Sequence, residues 1–186
     1  FDSPYSIAVD NTGMTYIADT VNNRIVMVNG MDTGLRIMLG SAGTGTNQFN
    51  HPQSVVVDSV GKIYIADQGN SRIVRIYNML GAGWTTFGSF GTGPNQFDTP
   101  NSLALDSFGR IYVLDGANVN SNNRVVRIND MTGAGWTTFG STGTGTNQFG
   151  GITGIALDYA DRIYVVDIGN NRIVRFNDMA GTGWTA

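Results

Sequence analysis

Aspartates and one histidine are the residues of this 186-residue chain best suited to do chemistry: every acidic side chain is Asp, no Glu or Cys is present, and His51 stands alone. An Asp-x-x-Asn-x-Arg pattern recurs at Asp19/Asn22/Arg24, Asp67/Asn70/Arg72 and Asp167/Asn170/Arg172. Such a run could form an acidic metal loop. Asp and Asn side chains also hydrogen-bond backbone groups in turns, and a pattern repeated in every copy suits a scaffold better than a single reactive centre. A second set, Asp10, Asp58, Asp106 and Asp158, ends short apolar runs. A ring of these carboxylates could hold calcium, which takes about six to eight oxygen ligands. Each one also sits where it would cap its own turn. No cofactor is expected, and these four Asp are the metal candidates.

Nucleophilic catalysis through a Ser-His-Asp arrangement would have to use His51, whose neighbours Asn50 and Pro52 form no nucleophile elbow. The chain is therefore expected not to be an enzyme, with no catalytic residues. The Gly-Thr-Gly-x-Asn-Gln stretches run between extended segments and lack the helix N-terminus that makes a phosphate cradle. They are read as connectors. Trp84, Trp136 and Trp184 could stack on sugars, but packing of an outer strand against a neighbouring blade is the better account of them.

The elements that position these residues are short strands. GKIYIADQGNSRIVRIYN, from Gly61 to Asn78, reads as a strand (Lys62–Asp67), a tight connection (Gln68–Ser71) and a second strand (Arg72–Tyr77). The unit returns from Met14, Arg110 and Arg162. Phe1, Phe49, Phe97 and Phe149 occupy equivalent places, giving periods of 48, 48 and 52 residues, and the extra four fall between Asp115 and Arg124. A period in the forties with several strands per copy is the signature of a propeller or a similar array. Each copy starts with a strand at Ser6–Asp10, Ser54–Asp58, Ser102–Asp106 or Gly154–Asp158, followed by a turn at Gly13, Gly61, Gly109 or Asp161, where positive φ is expected. Fourth strands are placed at Arg36–Leu39, Trp84–Phe87, Trp136–Phe139 and Trp184–Ala186. The blades of this single array are 1–48, 49–96, 97–148 and 149–186. Tyr16, Tyr64, Tyr112 and Tyr164 are expected to fill the layers between them.

FDSPYSIAVD, GKIYIADQGNSRIVRI and their copies resemble the NHL repeat family of β-propellers. The resemblance covers essentially the whole chain and implies an all-β propeller of four-stranded blades. Four copies are present, whereas the family usually closes with six. It also implies that ligands sit on the face where blade-to-blade links and the loops between second and third strands emerge. Related lyases and amidating enzymes need several His ligands, and related hydrolases need Glu. One His and no Glu assemble neither set.

A net charge of -3 gives no reason to expect nucleic acid, although some family members bind RNA with a basic face. No apolar run nears the roughly 18 residues of a membrane span, so no membrane insertion is expected. The chain opens on Phe1, as a processed product or an excerpt of a longer chain would. Tyr5, Gln53, Asn101 and Thr153 occupy one equivalent position just before the first strand and differ between copies, so they are the candidate binding residues of a channel rim. Asn118, Asn120 and Asn122, in the enlarged loop after Asp115, join them as uncharged donors and acceptors. The expectation is a non-catalytic binding or assembly module, extracellular or on a cell surface, with a protein or glycan as partner and self-association possible. The alternatives are a carbohydrate-binding or lyase-type propeller completed by residues outside this chain, and a self-associating structural protein of a surface layer or filament.

Overall fold

β-Branched and aromatic runs separated by Gly, Asn and Asp form strands almost everywhere the sequence places them. A computed structural model describes residues 1–30, 34–116 and 122–186. The first blade consists of β1 (Pro4–Val9), β2 (Met14–Asp19), β3 (Arg24–Asn29) and β4 (Arg36–Leu39), antiparallel neighbours in that order. The second repeats this order with β5 (Pro52–Val57), β6 (Ile63–Asp67), β7 (Arg72–Ile76) and β8 (Thr85–Phe87). The third has β9 (Pro100–Leu105), β10 (Ile111–Asp115), β11 (Arg124–Ile128) and β12 (Thr137–Phe139). After β13 (Ser141–Thr142) and β14 (Gln148–Phe149), the fourth blade has β15 (Ile152–Leu157), β16 (Ile163–Asp167) and β17 (Arg172–Phe176). Its expected fourth strand at Trp184–Ala186 is reduced to one bridge between Arg175 and Thr185. The fold is all-β and of the β-propeller type, as the repeat predicts. The chain divides into two compact units, residues 1–88 and 89–186, each carrying two blades.

The first strand of each blade begins earlier than expected and stops one residue short of the Asp. A bulge beside Pro4, Pro52 and Ile152 lets the strand start there, a position where proline's missing N–H is tolerated. At the other end Asp58 turns the chain, its Oδ1 accepting the N–H groups of Val60 (3.0 Å) and Lys62 (2.8 Å). Gly61 completes that turn at φ 84°, and Asp161 takes the equivalent place at φ 56°. Both positive angles match the sequence reading.

Alternation along the strands gives every blade two rows. The rear row of the first blade (Ala8, Tyr16, Ala18, Ile25) packs against the forward row of the second (Val55, Ile63, Ile65, Val74), forming the core of the first unit. In the second unit Ala104, Tyr112, Leu114 and Val125 meet Ile155, Val165 and Val174 in the same manner. Tyr16, Tyr64 and Tyr112 are buried as expected, while Tyr164 is only half-buried.

The links hold a feature that periodicity does not reveal. Each doubles back in parallel, pairing Ala42 with Phe49, Phe90 with Phe97, and β13 with β14. Phe49, Phe97 and Phe149 are thereby sunk completely into the core. Gly43 in this link takes φ 148°, a conformation that favours glycine, and a Cβ there would also displace the Gln48 amide, whose Oε1 would lie 2.4 Å away.

Candidate functional site

The strand pairing of β6 with β7 sets Asp67 opposite Arg72, and the same register sets Asp19 opposite Arg24, Asp115 opposite Arg124 and Asp167 opposite Arg172. All four carboxylates are fully buried. Asp67 accepts the backbone N–H of Asn50 at 2.7 Å, Asn70 Nδ2 at 2.8 Å and Arg72 Nε at 2.7 Å. The guanidinium then reaches outward, donating to the carbonyls of Thr44 (2.7 Å) and Gln48 (2.9 Å) while lying over the Trp84 ring. Arg124 and Trp136 repeat the clamp on Thr92 and Gln96, and Arg172 and Trp184 repeat it on Thr144 and Gln148. The Asp-x-x-Asn-x-Arg pattern is therefore a joint that locks the link to its blade. The tryptophans belong to this joint too: Trp84 sits 5.2 Å from Phe49, centroid to centroid.

Burial pushes the Asp67 carboxyl above its ordinary range despite the Arg72 partner. At Asp19 burial also pushes upward, but the N–H of Asp2 and the side chains of Arg24 and Asn22 outweigh it and hold the carboxyl low.

Asp10, Asp58, Asp106 and Asp158 lie at the far end of the first strand from the joint and spend their oxygens on their own turns. Asp158 accepts N–H groups from Ala160 (3.0 Å) and Arg162 (3.1 Å), Arg162 Nε (2.6 Å) and the Tyr164 hydroxyl (3.1 Å). Desolvation works against its charge, yet these donors hold its carboxyl down at about 2. Asp10 is filled likewise by Thr12, Met14 and Tyr16. Among the described residues no cluster of three or more His, Cys, Asp or Glu is arranged to hold a metal. Desolvation and the neighbouring carboxylates of Asp10 and Asp58 raise the Tyr16 and Tyr64 hydroxyls to about 12.

The candidate rim positions separate into different environments. Tyr5 and Thr153 are exposed, and Gln53 is half-buried with its amide donating to Gln68 Oε1 at 3.0 Å. Asn101 does not stand on an open rim: it is 7% exposed, and its Nδ2 donates to the carbonyls of Ile152 (2.6 Å) and Gly116 (2.9 Å), tying β9 to β15. Asn122 is part of the joint, since its Nδ2 donates to Asp115 Oδ2 at 2.8 Å as Asn70 does to Asp67. Its offset from Arg124 gave that away in the sequence, hidden only by the insertion. Asn118 and Asn120 lie outside the described residues. His51 is exposed, with its ring Nδ1 2.8 Å from Asn50 Oδ1 and its backbone N–H donating to Asn23 Oδ1.

Tyr5 borders one cleft, and another lies at the opposite end of the first strands, at the turns of the second unit. The cleft beside Tyr5, of about 270 Å³, is lined by Phe1, Pro4, Ser6, Ile7 and Ile17. The other, about 610 Å³, lies between Leu105–Ser107 and Leu157–Tyr159. Asp161 closes part of it by accepting the N–H (3.0 Å) and hydroxyl (2.6 Å) of Ser107. The substitution of Asp for the turn glycine was the signal for that contact.

Residues 49–76 match the NHL repeat model. No curated protein matches the sequence. Among solved structures, the catalytically inactive histidine-to-alanine virginiamycin B lyase from Staphylococcus aureus, determined with quinupristin, is similar over 98% of this chain and 54% of its own, at 19% identity and a TM-score of 0.70. A streptogramin B lyase is similar over 99% and 54%, at 16% identity and TM-score 0.71. The nidogen/laminin complex gives 99% and 62%, at 21% identity and TM-score 0.74. The chain thus spans about half the length of the lyase structures it matches. The expectation that the chain is not an enzyme is overturned by these neighbours: lyases share its fold, and the scarcity of His and Glu describes only this stretch of sequence. The NHL repeat match thus covers the second blade, and the likeness to the solved structures extends the propeller fold over nearly the whole chain.

Proposed function

We propose that this chain is a protein-binding propeller module that acts outside the cytoplasm and uses Tyr5 and its neighbours in the first unit for recognition. One observation carries the reading: an aromatic side chain stands exposed beside an apolar cleft at a position that varies from blade to blade, while the joints around it repeat. Tyr is favoured at binding hot spots because it offers a large rigid surface with a polar tip. The nidogen/laminin complex, a structure of similar fold, supports a protein as the partner class. Uncharged polar loops and the near absence of Lys and Glu support a place outside the cytoplasm.

The test is interferometry of the immobilised chain against arrays of extracellular proteins and of glycans. A protein ligand whose affinity falls at least about tenfold in Tyr5→Ala, with an unchanged melting temperature, is the expected result. Hits confined to glycans would overturn the choice of partner. A second reading, favoured by the lyase structures, is a lyase-type propeller completed by residues outside this chain. It requires that quinupristin be consumed on incubation with the full-length protein.

A further inference from the structure

The same seam is built twice in this chain, each time from the rear row of one blade and the forward row of the next. Two rows of matching chemistry are left uncovered. The forward row of the first blade exposes Ile7 (62%), Val9 (62%) and Met38 (51%), where the equivalent Val55 of the second blade is buried. The rear row of the fourth blade exposes Val166 (38%) and Ile173 (57%), where the equivalent Leu114 and Val125 of the third blade are completely buried. Val166 and Ile173 face each other across β16 and β17, so their side chains form one continuous strip. A shallow cleft of about 190 Å³ runs along this strip beside Ala156 and Tyr164, and the cleft of about 270 Å³ runs along the forward strip beside Ile7 and Ile17.

We propose that these faces bind one another between two copies of the chain, the rear row of the fourth blade seating on the forward row of the first blade of a second copy. The internal seams specify the occupant. A rear row carrying Ala, Tyr and two aliphatic residues is covered, both times it is covered within a unit, by a forward row of aliphatic residues, and the first blade presents such a row. Isolated apolar residues on a surface are ordinary, but contiguous apolar strips mark contact surfaces. Because the two faces differ, the contact is heterologous, head to tail. The forward strip borders the same cleft beside Tyr5 that is proposed for ligand recognition, so a second copy seated there competes with that ligand, and the test is made with no ligand present.

Sedimentation velocity of the 186-residue chain over a range of concentrations tests the proposal, with circular dichroism confirming that each variant is folded. The wild type is expected at multiples of 19.9 kDa. Ile7→Asp and Ile173→Asp, each with one face spoiled, are each expected to be monomeric alone and to form a 1:1 dimer when mixed. A monomeric wild type throughout, leaving the faces to further blades or to another protein, overturns the proposal. So does a dimer formed by either variant alone, which would show a symmetric contact instead.

Discussion

The first and second blades repeat one frame of key residues, yet they meet different surroundings. Asp19 and Asp67 have the same three kinds of donor around a fully buried carboxylate. Their proton affinities nevertheless shift in opposite directions, Asp19 down and Asp67 up. Ile7 and Val55 are likewise the same position on the same strand, one on the surface and one in the core. A repeat specifies partners along its own strands, whereas the amount of protein stacked beside it decides what burying those partners costs.

Removing the joint should separate the two blades most strongly. Asp67→Ala strands the Asn50 N–H and the guanidinium of Arg72, which is nearly enclosed, and a broken buried pair typically costs about 3–5 kcal/mol. Asp19→Ala leaves Arg24, with its more exposed side chain, better able to turn to water, so about 1–3 kcal/mol is expected. Urea denaturation measures both, and equal losses would show that stacking does not modulate the joint. Next in size is the core: Ile65→Ala should cost about 2–5 kcal/mol, whereas Ile7→Ala in dilute monomeric solution should stay within about 0.5 kcal/mol.

Proton titration offers a sharper comparison. Asp19, with its pKa lowered from 3.8, contributes stability that is present above that value and lost as pH falls through its folded pKa. Asp67, with its pKa raised from 3.8, favours folding below that value and loses this contribution as pH rises through its folded pKa. Carboxyl carbon NMR should therefore find Asp19 titrating below 3.8 and Asp67 above it. Coincident midpoints would remove the contrast. The smallest effect concerns the turns: millimolar calcium should leave the melting temperature unchanged, because Asp10 and Asp58 already accept donors from their own turns. A rise in melting temperature would restore them as cation ligands.

Much of this was legible in the sequence, for reasons that particular residues make clear. Local chemistry reads well: Gly61 and Asp161 take positive φ, Arg36–Leu39 forms the divergent fourth strand, and the Asp-Asn-Arg pattern is structural. What failed depended on distance along the chain. The burial of Asn101 arises from its bond to Ile152, fifty-one residues away, and nothing near Asn101 signals it. Nor does any local feature distinguish Ile7 from Val55, since each is an aliphatic residue at the same place in the repeat. The parallel return of the links was missed because it is made by backbone groups, such as the Phe49 N–H donating to the Ser41 carbonyl at 2.9 Å. The role of Asn122 escaped because the insertion broke its alignment with Asn70.

That insertion carries a practical consequence. Arg124 Nε still reaches Asp115 Oδ2 at 3.0 Å although eight residues separate the two, against four between Asp67 and Arg72. The geometry of the joint is therefore set by strand register, and the length of the intervening segment is free to change. Closing a longer loop costs only about 0.6 kcal/mol for each doubling of its length. The joint is in this sense a clasp with an adjustable tether: it fixes Arg124 against Asp115 and leaves the number of residues between them open.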